Sequence, residues 1–263
     1  MKYFILLLFT PLLLIAKVHY AKVEPYENIT LKSAVSAQVT EAKISLEGST
    51  VNDTIIKLDN KLDKNKLKSS HNSLRLIQSM IQTNQNILAA LKESLNKQKS
   101  YHLRISDITS ASKTQKDNAF YAYTNAKTQY FSTKEKIDSL KKQKLDLKYE
   151  VTRLQDTLSK KSIKLNNMFL YKLLVNKGDF VNMGTSLAQI KDLSKGKLIL
   201  FLESSELVDI KSKTIYINDK ASKLKISKIW KVADEKFISS YRTEIIVNNP
   251  QNIFSKLLKI EFK

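Results

Sequence analysis

The 263-residue sequence contains no cysteine, which excludes a disulfide scaffold, a thiolate metal site and a cysteine nucleophile. It has three histidines, His19, His71 and His102, too widely spaced to suggest an imidazole metal site or a histidine-based triad. Glycine occurs four times and proline three times, and neither occurs between Gly48 and Gly178. Nearly half the chain is therefore free of the two residues that interrupt helices. No phosphate-cradling glycine loop is present. Arginine is scarce too: Arg75, Arg104, Arg153 and Arg242 are the only four among 45 basic residues.

The formal net charge is +20. Such a balance raises the question of nucleic-acid binding. Readers of bases and phosphates favour the bidentate arginine fork, however, and here the charge is almost all lysine, spread along the whole chain. We therefore expect no nucleic-acid partner. Attraction to anionic lipid is a milder consequence of the same charge.

The chain opens with Lys2 and an apolar run from Tyr3 to Ala16, closed by Lys17. Fourteen residues fall short of the ~20 needed to span a bilayer as a helix. A charged front end and a short apolar stretch fit a secretory signal peptide over residues 1–21, with Ala16 and Ala21 as candidate cleavage positions. Leu14 and His19 at the −3 positions leave an uncleaved N-terminal anchor open. No cysteine follows, so lipid attachment at a lipobox is excluded.

Residues 55–165 are rich in helix formers and carry a heptad pattern. Leu67, Leu74, Ile81, Leu88 and Leu95 recur every seven residues, interleaved with Ser70, Ile77, Asn84, Leu91 and Gln98. A second run reads Ala119, Tyr123, Ala126, Tyr130, Thr133, Ile137, Leu140, Lys144, Leu147, Val151, Leu154 and Leu158. Alternating steps of three and four make an a/d seam with left-handed supercoiling. The seam lapses between Arg104 and Ser112, and Ser112 with Asp117 resembles a helix N-cap with acidic support. Two antiparallel helices of matched length, turning at residues 104–112, account for this. One uninterrupted helix in an intermolecular coiled coil is the alternative.

The segments flanking the helical region resemble each other. Gly48-Ser-Thr-Val51-Asn52 precedes it and Gly178-Asp-Phe-Val181-Asn182 follows it, each within a run of aliphatic residues. A glycine turn among β-branched residues is a strand-turn signal. Beyond Lys197, short strands are expected over 197–203, 214–217, 223–230, 242–247 and 257–262, with a turn at Asn218-Asp219 and a short capped helix over 204–210. Trp230 and Phe237 read as core or rim residues rather than ligand stackers.

At these residues the chain resembles the HlyD-like periplasmic adaptors, or membrane fusion proteins, of bacterial tripartite efflux pumps and type I secretion systems. The stretch carrying the likeness runs from Lys177 through Leu193 and on from Lys197 to Glu203. The resemblance implies an α+β fold: a long antiparallel α-helical coiled-coil hairpin inserted in a lipoyl-type β-sandwich (a barrel-sandwich hybrid), followed by a small antiparallel β-barrel. It places the sandwich at 28–54 plus 166–195, the hairpin at 55–165 and the barrel at 196–263, with the family's further membrane-proximal domain missing or minimal. It implies a periplasmic, non-enzymatic protein without cofactor or metal. Its partners would be an inner-membrane transporter of RND or ABC type, a TolC-type outer-membrane channel, and further copies of itself in a ring such as a hexamer. By the family's tip motif, Arg104, Ile108 and Ser112 would contact the channel, although isoleucine stands where leucine is usual and the serine comes early. A lipoyl-type carrier is the enzymatic alternative; the hairpin replaces the turn that would hold its acceptor lysine. A structural coiled-coil scaffold of the envelope is the other.

Overall fold

A computed structural model describes residues 17–250 and 252–263. The expected leader over 1–16 lies outside the described residues. Residues 17–21 are described and already belong to folded structure, because the first strand starts at His19.

The described chain forms two compact units, one from residues 57–163 and one from the segments on either side of it. The first is the helical hairpin. Helix α1 spans Lys61–Asp107 and α2 spans Lys113–Lys160. At 1.5 Å per residue each is ~70 Å long. The chain thus turns back after position 107, and the single-helix alternative is excluded. The heptad positions bury as their spacing dictates: Ile81, Ala119, Ala126, Ile137, Leu140, Val151 and Leu154 are all buried. Small Ala119 and Ala126 let the helices approach closely, and polar Ser70 and Asn84 are buried in the same seam. Asn84 meets the cost of burial within its own helix, its Nδ2 donating to the Met80 carbonyl at 2.7 Å. Lys66 reaches Glu150 of the other helix at 2.9 Å, Lys144 donates to Gln78, and Lys161 pairs with Asp63.

The helices start and stop inside the expected 55–165. Thr54–Leu58 is a strand, and so is Ser162–Lys164. Ile55, Ile56 and Leu58 are essentially without exposure, and the first two are β-branched. A short apolar run of that kind belongs to a sheet interior despite the helix formers that follow it.

The second unit is all β. Its strands are β1 (His19–Lys32), β2 (Ala37–Ala42), β3 (Ser49–Val51), β4 (Thr54–Leu58), β5 (Ser162–Lys164), β6 (Met168–Leu173), β7 (Phe180–Val181), β8 (Ser186–Glu203), β9 (Ile215–Ile217), β10 (Lys220–Ser222), β11 (Ile226–Ile229), β12 (Ser240–Asn248) and β13 (Leu257–Phe262); the hairpin's boundaries cut through both β4 and β5, taking Lys57 and Leu58 of the one and Ser162 and Ile163 of the other. One sheet runs β10-β9-β13-β1-β8-β12-β11, with β6 joined to β8 and to β3; the other runs β5-β4-β2-β7. All pairings with a defined register are antiparallel.

Two long strands organise this unit. The first four residues of β1 pair with β13, and from Val23 onward it pairs with β8. Strand β8 in turn pairs with β1, β6 and β12 along its length, so the separately expected strand at 197–203 is the second half of one continuous strand. Along it Leu198, Leu200 and Leu202 point inward at period two and are at most 2% exposed. They meet Val23, Ile245 and Ile260 in the core. The expected capped helix at 204–210 is a shorter 3-10 turn over Ser204–Leu207, closed by a Glu206 carboxylate that accepts from Glu203 N–H at 2.9 Å.

The segments before and after the hairpin come together here. Ala37 pairs with Val181 and Gln38 with Phe180. Val39 N–H donates to the Asp179 carbonyl at 2.8 Å, and Gly178 N–H donates back to Val39 at 2.9 Å. Ser33 exchanges backbone bonds of 2.8 Å with Gly184 and Thr185. The two copies of Gly-x-x-Val also match in conformation. Gly48 has φ +76° and Gly178 φ +101°, values that favour glycine, while Val51 and Val181 three residues on are both buried. Trp230 is half-buried, with Lys228 Nζ 4.2 Å and Arg242 Cζ 4.8 Å from its ring centre. Phe237 lies against Phe201 at 4.2 Å between ring centres.

Candidate functional site: the hairpin tip

The tip is built by the end of one helix and the start of the next, joined by five residues. Ile108 closes α1 in extended conformation, its N–H donating to the Ile105 carbonyl at 3.3 Å. Ala111 N–H then bonds the Ile108 carbonyl at 3.3 Å. Ser112 opens α2 with a reciprocal cap: its hydroxyl accepts from Gln115 N–H at 3.2 Å, and its own N–H donates to Gln115 Oε1 at 2.9 Å. This capping box satisfies two amides that the first turn would otherwise leave bare. The support for Ser112 therefore comes from the Gln115 amide, and Asp117 lies beyond the first turn. Lys116 ties the loop down by donating to the Ser106 carbonyl at 3.1 Å. No residue from 108 to 112 adopts a positive φ.

The three residues singled out from sequence share this end of the hairpin, and all are exposed. Arg104 stands in the last turn of α1, where a cation complements the carbonyl end of the helix dipole. Among the described residues it has no hydrogen-bond or ion-pair partner, so its guanidinium is free to bind. Ile108 is 44% exposed at the turn itself. The Ser112 hydroxyl is committed to its cap as an acceptor, which leaves it one proton to donate.

Sequence reasoning missed what lies beneath the tip. His102 stacks on Tyr123 with ring centres 5.7 Å apart and planes within 5°, and it meets Phe120 edge-on at 5.6 Å. Its Nδ1 is buried without a partner. Around this cluster Tyr101, Leu103, Phe120 and Tyr121 keep between 44% and 62% of their surface exposed. The tip thus presents a free cation and an aliphatic residue above a collar of apolar side chains. The clue was present in the aromatic density at 120, 121 and 123, opposite Tyr101-His102 across the break.

Elsewhere on the hairpin, the Glu150 carboxyl is held below the usual glutamate range, first by Lys66 and then by Arg153. Among the described residues no group of three or more histidine, aspartate or glutamate side chains could hold a metal ion. No helix among them is long and apolar enough to cross a membrane.

No family model and no curated protein matches the chain by sequence. Solved structures do match. MacA from Actinobacillus actinomycetemcomitans superposes with a TM-score of 0.71 at 18% identity, over 95% of this chain and 79% of that one. A MacA-MexA chimera carrying the Pseudomonas aeruginosa MexA α-hairpin gives 0.55 at 19% identity, again over 95% and 79%. The membrane fusion protein Spr0693 from Streptococcus pneumoniae R6 gives 0.53 at 11% identity, over 94% of this chain and 99% of that one. The chain has the fold of the HlyD-like membrane fusion proteins. The likeness covers nearly the whole chain, so both the hairpin and the β unit are matched.

Proposed function

We propose that this protein is a non-enzymatic periplasmic adaptor that links an inner-membrane transporter to a TolC-type outer-membrane channel, and that its hairpin tip docks on the channel. The observation that carries the reading is the tip itself: a stiff two-helix rod ending in an unpaired arginine, an exposed isoleucine and a capped turn, on a fold shared with membrane fusion proteins. An unpaired guanidinium can bond carbonyls or carboxylates of a partner, and exposed aliphatic and aromatic groups can fill its grooves. A single narrow hairpin encloses no conduit, so the role calls for several copies side by side. Energy for export would come from the transporter.

The test is an export assay in cells depleted of the native chain and complemented with variants. Arg104→Ala and Ile108→Asp should abolish resistance or export while leaving helicity and expression unchanged. Ser112→Asp keeps an N-cap acceptor and adds charge at the docking face, so it should impair export without loosening the helix. Normal export in all three variants removes the tip assignment. An assembled complex that yields only monomers on cross-linking removes the ring, and wild-type export in the absence of the chain leaves a scaffold instead.

A further inference from the structure

Lysine is spread over the whole chain, but its neutralisation is not. Between Lys211 and Lys236 stand eight lysines and only three acidic residues. All eight lysines are exposed, and among the described residues none is in an ion pair. Of the three acids, Glu235 is exposed in the loop and Asp219 is taken by Lys259 at 2.6 Å. Asp234 is turned inward to its own loop, its Oδ1 accepting the N–H of Lys236 at 2.9 Å and of Phe237 at 3.3 Å. β10 and β11 are the two end strands of the sheet order and follow each other in the chain, and the border they form with the loop after them is thus strongly cationic.

That loop, residues 230–239 between β11 and β12, adds a second, independent feature. Val232 is 78% exposed and Ile238 85%, while Phe237, anchored on Phe201, is 49% exposed. All three stand on a turn braced by Asp234, with Lys231 and Lys236 their neighbours in sequence. The grooves along the edge run into one another. One is lined by Lys211, Lys223, Lys225 and Ile226; the next shares Lys211 and Ile226 and reaches Trp230; the last runs from Trp230 to Val232, Lys236 and Arg242. They make one continuous basic border ending in an apolar point.

We infer that this edge of the β unit docks on an anionic bilayer surface, with Val232, Phe237 and Ile238 entering the headgroup–acyl boundary and the flanking lysines bound to lipid phosphates. An acidic protein would also answer to the charge. Aliphatic side chains as exposed as Val232 and Ile238, set among exposed lysines, suit the boundary between charged headgroups and acyl chains. A lysine near an anionic surface changes partitioning by about fivefold. Several lysines together make the attachment strong at low salt and weak at high salt. The inference stands apart from channel docking, because it concerns the other unit of the chain and a different assay.

Trp230, the chain's only tryptophan, is the first residue of the loop and reports on it alone. Full-length protein is mixed with vesicles of phosphatidylcholine, or of phosphatidylcholine with phosphatidylglycerol, each carrying bromine-labelled acyl chains. We expect Trp230 quenching only with phosphatidylglycerol. It should weaken at least tenfold in apparent affinity when salt rises from 50 to 500 mM, or in a Lys228→Glu/Lys231→Glu variant. The Val232→Asp/Ile238→Asp variant should lose it while keeping a cooperative urea transition. Vesicle binding through any other part of the chain leaves Trp230 unquenched. An unquenched Trp230 on anionic vesicles, or quenching indifferent to both variants, overturns the inference. Cross-linking from Lys231 that captures an acidic envelope protein, without quenching, reassigns the edge to that protein.

Discussion

Packing in the β unit is least forgiving at Gly196. This residue lies in β8, opposite Pro25 of β1 on one side and Val247 of β12 on the other. A Cβ placed on it would stand 2.8 Å from Val23 Cγ1 and 3.0 Å from Pro250 Cβ. Val23 has no exposed surface and is held in the core, so it cannot swing aside. Gly196→Ala should therefore overpack the site and cost about 1–3 kcal/mol. Val23→Ala removes two buried methyl groups at ~0.8 kcal/mol each and leaves a cavity, about 2–3 kcal/mol in all. In the Val23→Ala background the nearest obstacle is gone, and alanine is the better strand residue by about 0.5–1 kcal/mol. Pro250 Cβ still stands 3.0 Å away, so Gly196→Ala should keep part of its cost there but lose about 1 kcal/mol of it, a coupling between the two positions. Urea denaturation followed by Trp230 fluorescence reads this without interference from the hairpin, which has no tryptophan. Equal costs of Gly196→Ala in the two backgrounds would refute the close approach of Val23 as a reason for glycine.

Two further outcomes are expected. Ser112→Ala should remove the reciprocal cap at a cost of about 1 kcal/mol, raising hydrogen exchange at the Gln115 and Lys116 amides about fivefold, whereas Ser112→Asp should preserve protection. Lys263 first, and then Lys259, hold the Glu261 carboxyl below its ordinary range. A depressed carboxylate contributes stability that is present above its unfolded pKa and lost as pH falls through the folded one. The stability gap between wild type and Glu261→Gln, read by Trp230 fluorescence, should be full at pH 7 and close as pH drops from about 5 to about 3; a gap that stays constant across that range contradicts the pairing.

The hairpin was legible because a seven-residue period leaves little choice. Positions picked by spacing from Ile81 to Leu154 are those the structure buries, and the break before Ser112 is where the chain turns. The ends of the helices were less legible. Ile55-Ile56 sits beside residues that favour helix, and only the sheet across from it decides for strand. The continuous β8 was hidden for a similar reason: Ser194-Lys195-Gly196 reads as a loop, yet glycine is there because Val23 and Pro250 crowd it. At the tip the serine cap was visible, but its partner Gln115 was not, since a glutamine three residues on is common. The stacking of His102 on Tyr123 joins two helices and has no signature in either one.

The turn at 108–112 has a further consequence. It reverses the chain without a positive backbone φ, and without glycine or proline. Only the position held by Ser112 carries a chemical demand, an acceptor for Gln115 N–H. The remaining side chains there can drift at little cost to folding, so a lineage could retune which partner it grips while keeping the same rod.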